Sequence, residues 1–341
     1  MKKIKQYKKI LVVKPSSLGD IVHSLPFLNS LRSCFPKAEI HWVVAKGLED
    51  ILEGNPMIDK LIVINKDMWK KIKKAGDTLR EVKSLFRELR NERYDLVVDL
   101  QGLFRSGLIT MATRAPERVG FAEAREGSRL FYNVRVKGGK EVHAVDRYMK
   151  VAGAIGCDTG NIIFPFPLFK NDLKEIKKIK NGIKDYAVIV PGARWDTKMW
   201  PAEYYGKLAS MLPMKSFVIG SSKDMVIADE VVKASEGKAF SLIGKTNLRE
   251  LVEILRDARV VISNDTGPMH IAAGLRVPVV AIFGPTSPDR TAPYGQGHII
   301  IKSEEECAPC YKKKCRDMKC MKKIYADIVF NKIRGTLISY D

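Results

Sequence analysis

The chain has 341 residues, 45% of them apolar and 29% charged, which excludes a disordered or fibrous polymer and allows two ordinary domains. Its formal net charge of +20 points to polyanionic partners: nucleic acid, an anionic membrane surface, or a phosphorylated or carboxylated substrate. Helix-turn-helix, zinc-finger and RNP-like patterns are missing, so nucleic acid is unsupported. No apolar run approaches the roughly 20 residues of a transmembrane helix. The basic stretch 1–9 lacks the apolar segment of a signal peptide, because residues 10–13 run straight into Lys14-Pro15. A cytoplasmic protein is expected, and with it six cysteines that do not form stable disulfides.

In chain order, residues 10–14 read as a buried strand and Pro15-Ser-Ser-Leu-Gly19 as a turn. A helix starts at Asp20, with Ile21, Leu25, Leu28 and Leu31 at helical spacing. Residues 39–45 alternate as a strand, 46–55 suit a short helix, and 60–64 form another strand. Residues 66–93 make a long amphipathic region whose polar face carries Lys70, Lys71, Lys73, Lys74, Arg80, Lys83, Arg87, Arg90 and Arg93. A solvated face accounts for most of these, and the excess of one sign leaves room for a membrane surface or an anionic acceptor. Residues 94–100 are a strand that enters the polar turn Asp99-Leu-Gln-Gly-Leu-Phe-Arg-Ser-Gly107. Residues 115–121 and 130–136 read as short strands or loops, and 143–155 as a helix.

Residues 160–181 break this alternation and hold the domain boundary. It then restarts: strand 186–190, turn Pro191-Gly-Ala-Arg194, helix from Pro201, strand 215–219, turn Gly220-Ser-Ser222 and a helix to Glu236. A helix over 248–258 leads to strand 260–263, the helix around His270, and strand 277–283. The amphipathic segment 325–337 closes the chain. Strands alternating with helices throughout predict parallel sheets with crossover helices.

Three stretches carry candidate chemistry. Asn264-Asp-Thr-Gly267 joins a strand to a small-residue helix, which puts free backbone N–H groups and a helix dipole in one spot suited to a phosphate or diphosphate. Asp265 and Thr266 are also good N-cap residues, but a capped helix leaves His270 and the second turn, Phe283-Gly-Pro-Thr-Ser287, unexplained. Ser16-Ser-Leu-Gly-Asp-Ile-Val-His-Ser-Leu-Pro26 lies at the carboxyl end of the first strand, where ligands of α/β sheets bind. Asp20 there serves either as a general base or as a helix cap, and the residues alone leave both open. Arg194-Trp-Asp-Thr-Lys-Met-Trp-Pro201 places two cations and two aromatics after a strand. Arg194 and Lys198 can neutralise a departing diphosphate, or the stretch is an exposed loop anchored by Trp200.

Other patterns fail. Gly244-Lys-Thr246 is not a P-loop, because the required first glycine falls on Ala239. No G-x-G-x-x-G follows a strand, and there is neither an H-E-x-x-H nor a D-x-D at a strand end. Cys307, Cys310, Cys315 and Cys320 have the thiolate count of a zinc or iron–sulfur site. Their spacing matches neither a zinc ribbon nor a ferredoxin run, and reduced thiols in a lysine-rich loop are an equal reading.

Leu18-Gly-Asp-Ile-Val-His-Ser-Leu-Pro26, Asp99-Leu-Gln-Gly102, Ser263-Asn-Asp-Thr-Gly-Pro-Met-His270 and Phe283-Gly-Pro-Thr286 together resemble the bacterial lipopolysaccharide heptosyltransferases, glycosyltransferase family 9. The late cysteines with Cys320-Met321 are also similar, and the resemblance covers most of the chain. It implies an α/β GT-B fold of two Rossmann-like domains facing across a cleft. Residues 1–165 would bind the acceptor and 166–322 the nucleotide-sugar, with 323–341 a C-terminal helix packing back on the first domain. The implied reaction is an inverting transfer of heptose from ADP-heptose to the inner core of lipopolysaccharide, on Kdo-lipid A or heptosyl-Kdo-lipid A. It would need no cofactor and no bound metal, in keeping with the missing D-x-D.

By position, the resemblance makes Asp20 the base and Lys198 the group that stabilises the leaving diphosphate, with Arg194 as helper. Asp265, Thr266, Gly267 and His270 would bind the donor, and Ala193, Gly220, Ser221 and Ser222 lie on donor-side loops. Ser17, Gly19, His23, Gln101 and Arg105 would contact substrate. One departure stands out: many heptosyltransferases have a hydroxyl residue near 192 and 193, where this chain has Gly192-Ala193. The implied partners are ADP-heptose, an anionic lipid-linked sugar acceptor and the inner-leaflet surface, with the protein cytoplasmic and peripheral at the inner face of the inner membrane. Another nucleotide sugar, an epimerase, or a non-catalytic protein for anionic lipid or nucleic acid remain as alternatives.

Overall fold

Each half of the chain builds a six-stranded parallel sheet, because its strands are short, almost continuous apolar runs that need cover on both faces. The computed structural model describes residues 5–65, 75–139, 141–169 and 173–338, in two compact units, Met1–Leu168 and Phe169–Asp341. In the first unit the elements are β1 (Lys9–Val13), α1 (Leu18–His23), α2 (Leu25–Cys34), β2 (Glu39–Ala45), β3 (Lys60–Ile64) and α3 (Ala75–Asn91). They continue with β4 (Leu96–Asp99), α4 (Phe104–Ala112), β5 (Glu117–Phe121), β6 (Val134–Val136) and α5 (Ala144–Ala154). The second unit runs α6 (Leu173–Lys180), β7 (Tyr186–Val190), α7 (Ala202–Met211), β8 (Lys215–Val218), α8 (Met225–Ala234) and β9 (Ala239–Ser241). After these come α9 (Leu248–Arg256), β10 (Val260–Asn264), α10 (Gly267–Gly274), β11 (Val279–Phe283), α11 (Pro288–Thr291), β12 (Ile299–Lys302), α12 (Lys319–Lys322) and α13 (Ala326–Ile338).

The first sheet has the order β3-β2-β1-β4-β5-β6. The second, read from its other edge, is β9-β8-β7-β10-β11-β12, the same order repeated. Val12 of β1 lies between Trp42 and Val98, and Ile262 of β10 between Ile189 and Val280. In each unit the strand order reverses beside the first strand, so a crevice opens at the carboxyl ends of β1 and β4, and again at those of β7 and β10.

The helix expected to run on from Asp20 is two helices, parted at Ser24. Pro26 lies in the first turn of α2, where its missing N–H is tolerated but cannot carry the α1 hydrogen-bond ladder onward. The short helix expected over 46–55 is a single 3-10 turn, Glu49–Ile51. Strands β9 and β12, of three and four residues, are too brief for alternation to reveal. Helix α13 buries Val329 and Ile333 in the core of the second unit, alongside Trp200, Met321 and Ile324. Burying a side chain of this size stabilises by roughly 1.5–3 kcal/mol. Lys70, Lys71, Lys73 and Lys74 lie outside the described residues, whereas Arg80, Lys83, Arg87, Arg90 and Arg93 are exposed on or just after α3. Among the described residues, no helix is long and apolar enough to cross a membrane.

Candidate active site

At the first crevice, β1 hands the chain to Lys14, whose side chain is only 3% exposed. Its ammonium donates to the Leu100 carbonyl at 3.4 Å and lies 5.3 Å over the Tyr148 ring. Asp20 Oδ1 is 4.0 Å from that ammonium and accepts from the Tyr148 hydroxyl at 3.5 Å. Burial pulls the Lys14 pKa down, and Asp20, Tyr148 and Asp99 together outweigh it, so the ammonium titrates above its ordinary range. Asp20 Oδ2 accepts from the Ser17 N–H at 3.0 Å and from the Ser17 hydroxyl at 2.7 Å. This reciprocal cap fixes the carboxylate at the positive end of α1, yet leaves its side chain 41% exposed.

The β4 loop braces this turn. Gln101 Oε1 accepts from the Ser16 N–H at 3.2 Å, which ties the two loops of the crevice together. Asp99 is fully buried and accepts from the Gln101 and Gly102 N–H groups at 2.8 and 3.0 Å and from the Tyr132 hydroxyl at 2.6 Å. Burial pushes its carboxyl up against the pull of those donors. Gly102 has φ +67°, a left-handed conformation that glycine supplies without strain. His23 is buried and packs edge-on against His143, ring centres 5.3 Å apart, while His143 caps α5 by accepting from the Val145 N–H. Gly19 is buried within α1, and Arg105 is exposed on the first turn of α4.

At the second crevice the polarity is reversed. Asp265, 8% exposed, follows β10, and Lys198, 16% exposed, stands on the 3-10 turn Asp196–Lys198 beyond β7. The Lys198 ammonium donates to Asp265 Oδ2 at 2.5 Å and lies 4.8 Å over the Trp195 ring. Thr286 donates its hydroxyl to the same Oδ2 at 3.0 Å, and His270 Nε2 is 3.9 Å from Oδ1. Trp200 holds the lysine loop down: its N–H donates to Asn264 Oδ1 at 3.1 Å and its indole N–H to the Ile324 carbonyl at 2.7 Å. Thr266 precedes α10 in an extended conformation and makes no side-chain capping bond, and Gly267 and Pro268 open the helix.

Beside this pair, at the end of β8, Ser221 donates its N–H and its hydroxyl to Asp224 Oδ2, each at 2.8 Å. The Asp224 carboxylate packs on Gly192 and Gly220, where an added Cβ would come within 2.5 and 2.9 Å of it. That contact leaves no room for a side chain at residue 192 unless Asp224 moves. Ala193 is half-buried next to it, Arg194 is exposed, and Ser222 starts the 3-10 turn that leads to α8.

The structure thus brings Ser17 and Asp20 together with Gln101 of the neighbouring loop, and Lys198 together with Asp265 and His270. Four participants are not assigned as site residues by the sequence reading. Lys14 is signalled by a lysine at the end of an otherwise apolar strand, and Thr286 lies inside a turn already singled out. Tyr148 and Asp224 reach their sites by tertiary packing and carry no local signal.

Residues 82–321 match the profile of glycosyltransferase family 9 (heptosyltransferase). The chain is 31% identical over 317 residues to lipopolysaccharide heptosyltransferase 1 of Pseudomonas aeruginosa, covering 90% of this chain and 87% of that one. Its fold is similar to that of a glycosyl transferase family 9 structure from Veillonella parvula, with a TM-score of 0.84 and 26% identity over 99% of each chain. It also resembles in fold the E. coli heptosyltransferase WaaC, solved with ADP-2-deoxy-2-fluoro heptose, at a TM-score of 0.78 and 24% identity over 96% of this chain and 99% of that one. Two parallel sheets with crossover helices are the α/β, GT-B class that the sequence led us to expect. With the family profile matched over most of its length, the chain belongs to glycosyltransferase family 9 (heptosyltransferase) and is a glycosyltransferase.

Proposed function

We propose that this enzyme moves a heptose from ADP-heptose to the inner core of lipopolysaccharide with inversion at the anomeric carbon. The observation that carries the division of labour is the opposite orientation of the two ion pairs. In the first unit the lysine is buried and the carboxylate faces out; in the second the carboxylate is buried and the lysine is its more exposed partner. The first unit therefore offers a proton acceptor and the second a positive charge. Donor and acceptor identities are drawn from relatives: the P. aeruginosa protein is named a lipopolysaccharide heptosyltransferase, and the E. coli enzyme was solved with an ADP-heptose analogue.

In the proposed reaction the acceptor hydroxyl oxygen bonds to the anomeric carbon on the face opposite ADP. The bond from that carbon to the diphosphate oxygen breaks, and the hydroxyl proton passes to Asp20. General-base help of this kind is worth about 10²–10⁴-fold in rate. Negative charge gathers on the diphosphate, where Lys198, helped by Arg194, and the uncapped N-terminus of α10 at Thr266 and Gly267 meet it. His270 and the loops at Ala193 and Gly220 to Ser222 complete the donor side, and Ser17, Gly19, His23, Gln101 and Arg105 the acceptor side. The exposed cations Arg80, Lys83, Arg87, Arg90 and Arg93 hold the anionic acceptor or dock the protein on the inner leaflet. Binding to anionic liposomes that persists unchanged after reversal of these charges would remove that part.

The test is a mass-spectrometric transfer assay with ADP-heptose and either Kdo-lipid A or heptosyl-Kdo-lipid A, run without chelator. The wild type adds one heptose mass to an acceptor, and NMR of the product shows the inverted linkage. ADP-heptose left intact beside both acceptors would overturn the proposal.

A further inference from the structure

The segment 304–320 is absorbed by neither candidate site, and its four cysteines surround one cavity. This cavity, of about 530 Å³, is lined by Cys307, Cys310, Cys315 and Cys320 together with Thr197 and Pro285. Cys307 and Cys315 are exposed, Cys310 is half-buried and Cys320 is buried, and all four are free thiols. Cys320 is fixed from below: its Sγ packs on Gly284, where an added Cβ would come within 3.1 Å of it. Met318 has φ 48°, a left-handed turn that aims its N–H at Cys315 Sγ, 3.5 Å away. An N–H donated to sulfur is how outer-shell backbone groups support a metal-bound thiolate.

We propose that Cys307, Cys310, Cys315 and Cys320 bind one thiophilic transition-metal ion, zinc or iron, in a tetrahedral four-thiolate site. Four sulfurs with no histidine select a soft ion over magnesium or calcium. Among the described residues, the one group of three ligand atoms mutually within 4.8 Å is Glu39, His41 and Glu92, so the sulfurs stand further apart and ligation draws the exposed Cys307 and Cys315 inward. The Glu39 group is excluded as a rival metal site, because the Lys9 and Lys60 ammonium groups already fill it at 2.7–2.9 Å. Binding releases the thiol protons, and the metal with four thiolates then carries negative charge. Lys312, Lys313, Lys314, Arg316 and Lys319 of the same segment offset that charge, against Glu304, Glu305, Glu306 and Asp317.

The segment is tied to the lysine loop at two points and to the turn after β11 at one. Thr197 donates its hydroxyl to the Lys312 carbonyl at 2.8 Å, and Tyr311 donates its N–H to the Pro285 carbonyl at 2.7 Å. The Lys313 ammonium lies 5.3 Å over Trp195. A metal that orders residues 307–320 thus also fixes the positions of Lys198 and Thr286. The four cysteines are positioning residues for the donor crevice, and metal binding itself does not depend on which sugar the enzyme transfers.

The full chain, without a histidine tag, is purified reduced and without chelator after growth with zinc and iron, and its metal content is measured by mass spectrometry. The expected result is about one zinc or iron per chain. Colour from iron–thiolate charge transfer marks iron, and a colourless stoichiometric site marks zinc. Removing the metal and adding Co²⁺ gives the intense visible bands of tetrahedral cobalt thiolate. Cys307→Ser and Cys315→Ser, both at exposed positions, lose the metal and lose amide-exchange protection at residues 195–198. Cys34→Ser, outside the cluster, retains both. Substoichiometric metal with six titratable thiols, disulfides among the four, or a Cys307→Ser/Cys315→Ser chain with full metal content would each overturn the proposal.

Discussion

The two units share a strand order but turn their ion pairs opposite ways. At the end of β1 a 3%-exposed lysine supports a 41%-exposed aspartate; at the end of β10 an 8%-exposed aspartate supports Lys198. Both pairs lie beside a reversal of strand order, Lys14 and Asp20 after β1 and Lys198 and Asp265 after β7 and β10, so the scaffold dictates where a site forms and not what it does. In the proposed reaction the more exposed partner of each pair, Asp20 at 41% and Lys198 at 16%, meets the ligand while the more buried one holds its orientation and charge. The difference is also visible in what surrounds each pair. Tyr148 and a helix cap steady the first; Thr286 and an aromatic face steady the second.

Removing the outward carboxylate tests the first half of this comparison most severely. Asp20→Asn keeps the shape of the α1 cap and removes the proton acceptor, so kcat for heptose transfer falls by about 10²–10⁴-fold, and the unfolding midpoint falls too because the buried Lys14 loses its nearest opposing charge. A variant that keeps wild-type kcat would break the contrast. Lys198→Met tests the second half: turnover falls by about 10²–10³-fold, the scale of losing one group aimed at developing charge. It also leaves Asp265 buried with Thr286 and His270 beside it but without its lysine, so the fold loses on the order of 3 kcal/mol. Adding Asp265→Asn restores thermal stability without restoring turnover, which separates charge from structure.

Acid sharpens the comparison between the units as bodies. Hydrogen bonds from Lys60 and Lys9 hold Glu92 down to about 2, and Lys9 and His41 lower Glu39. Burial pushes Asp59 up, but the Ile40 N–H and Arg32 outweigh it, so its pKa is also lowered. Among the described carboxyls with a resolved shift, every lowered one lies in the first unit. A depressed folded-state pKa gives stability that is present above the unfolded value, near pH 4.5, and lost as pH falls toward 2. Single-tryptophan variants that retain Trp42 or Trp200 then report earlier acid unfolding at Trp42. The smallest effect is Gly192→Ala, whose methyl would displace the Asp224 carboxylate from Ser221. It costs about 1 kcal/mol of stability and raises the donor KM, with little change in kcat.

Most of this framework is legible in the sequence because parallel strands buried on both faces read as apolar runs. Val260 to Asn264 and Lys9 to Val13 show it, and the turns after them announce the crevices. Ser24 hides the break between α1 and α2, since the apolar spacing continues across it and only Pro26 marks the stop. Strand β12 pairs with β11 through Ile299, Ile300 and Ile301, a run too short to distinguish from a loop. Within the sites, Asp20 and Lys198 stand in recognisable turns, but their burial does not, because a lysine in a strand–turn sequence carries no sign of which end faces water. Lys14 next to Tyr148, 134 positions later in the chain, and Asp224 under Gly192 are products of topology.

The most direct test of the inverted pairs is ADP affinity, measured by titration calorimetry on the wild type, Asp20→Asn and Lys198→Met. Asp20→Asn should bind ADP as the wild type does while having lost transfer, and Lys198→Met should bind it about tenfold or more weakly, one such step being about 1.4 kcal/mol. Equal ADP affinity in wild type and Lys198→Met, or a loss of affinity in Asp20→Asn, would contradict the assignment of base and diphosphate partner to the two units.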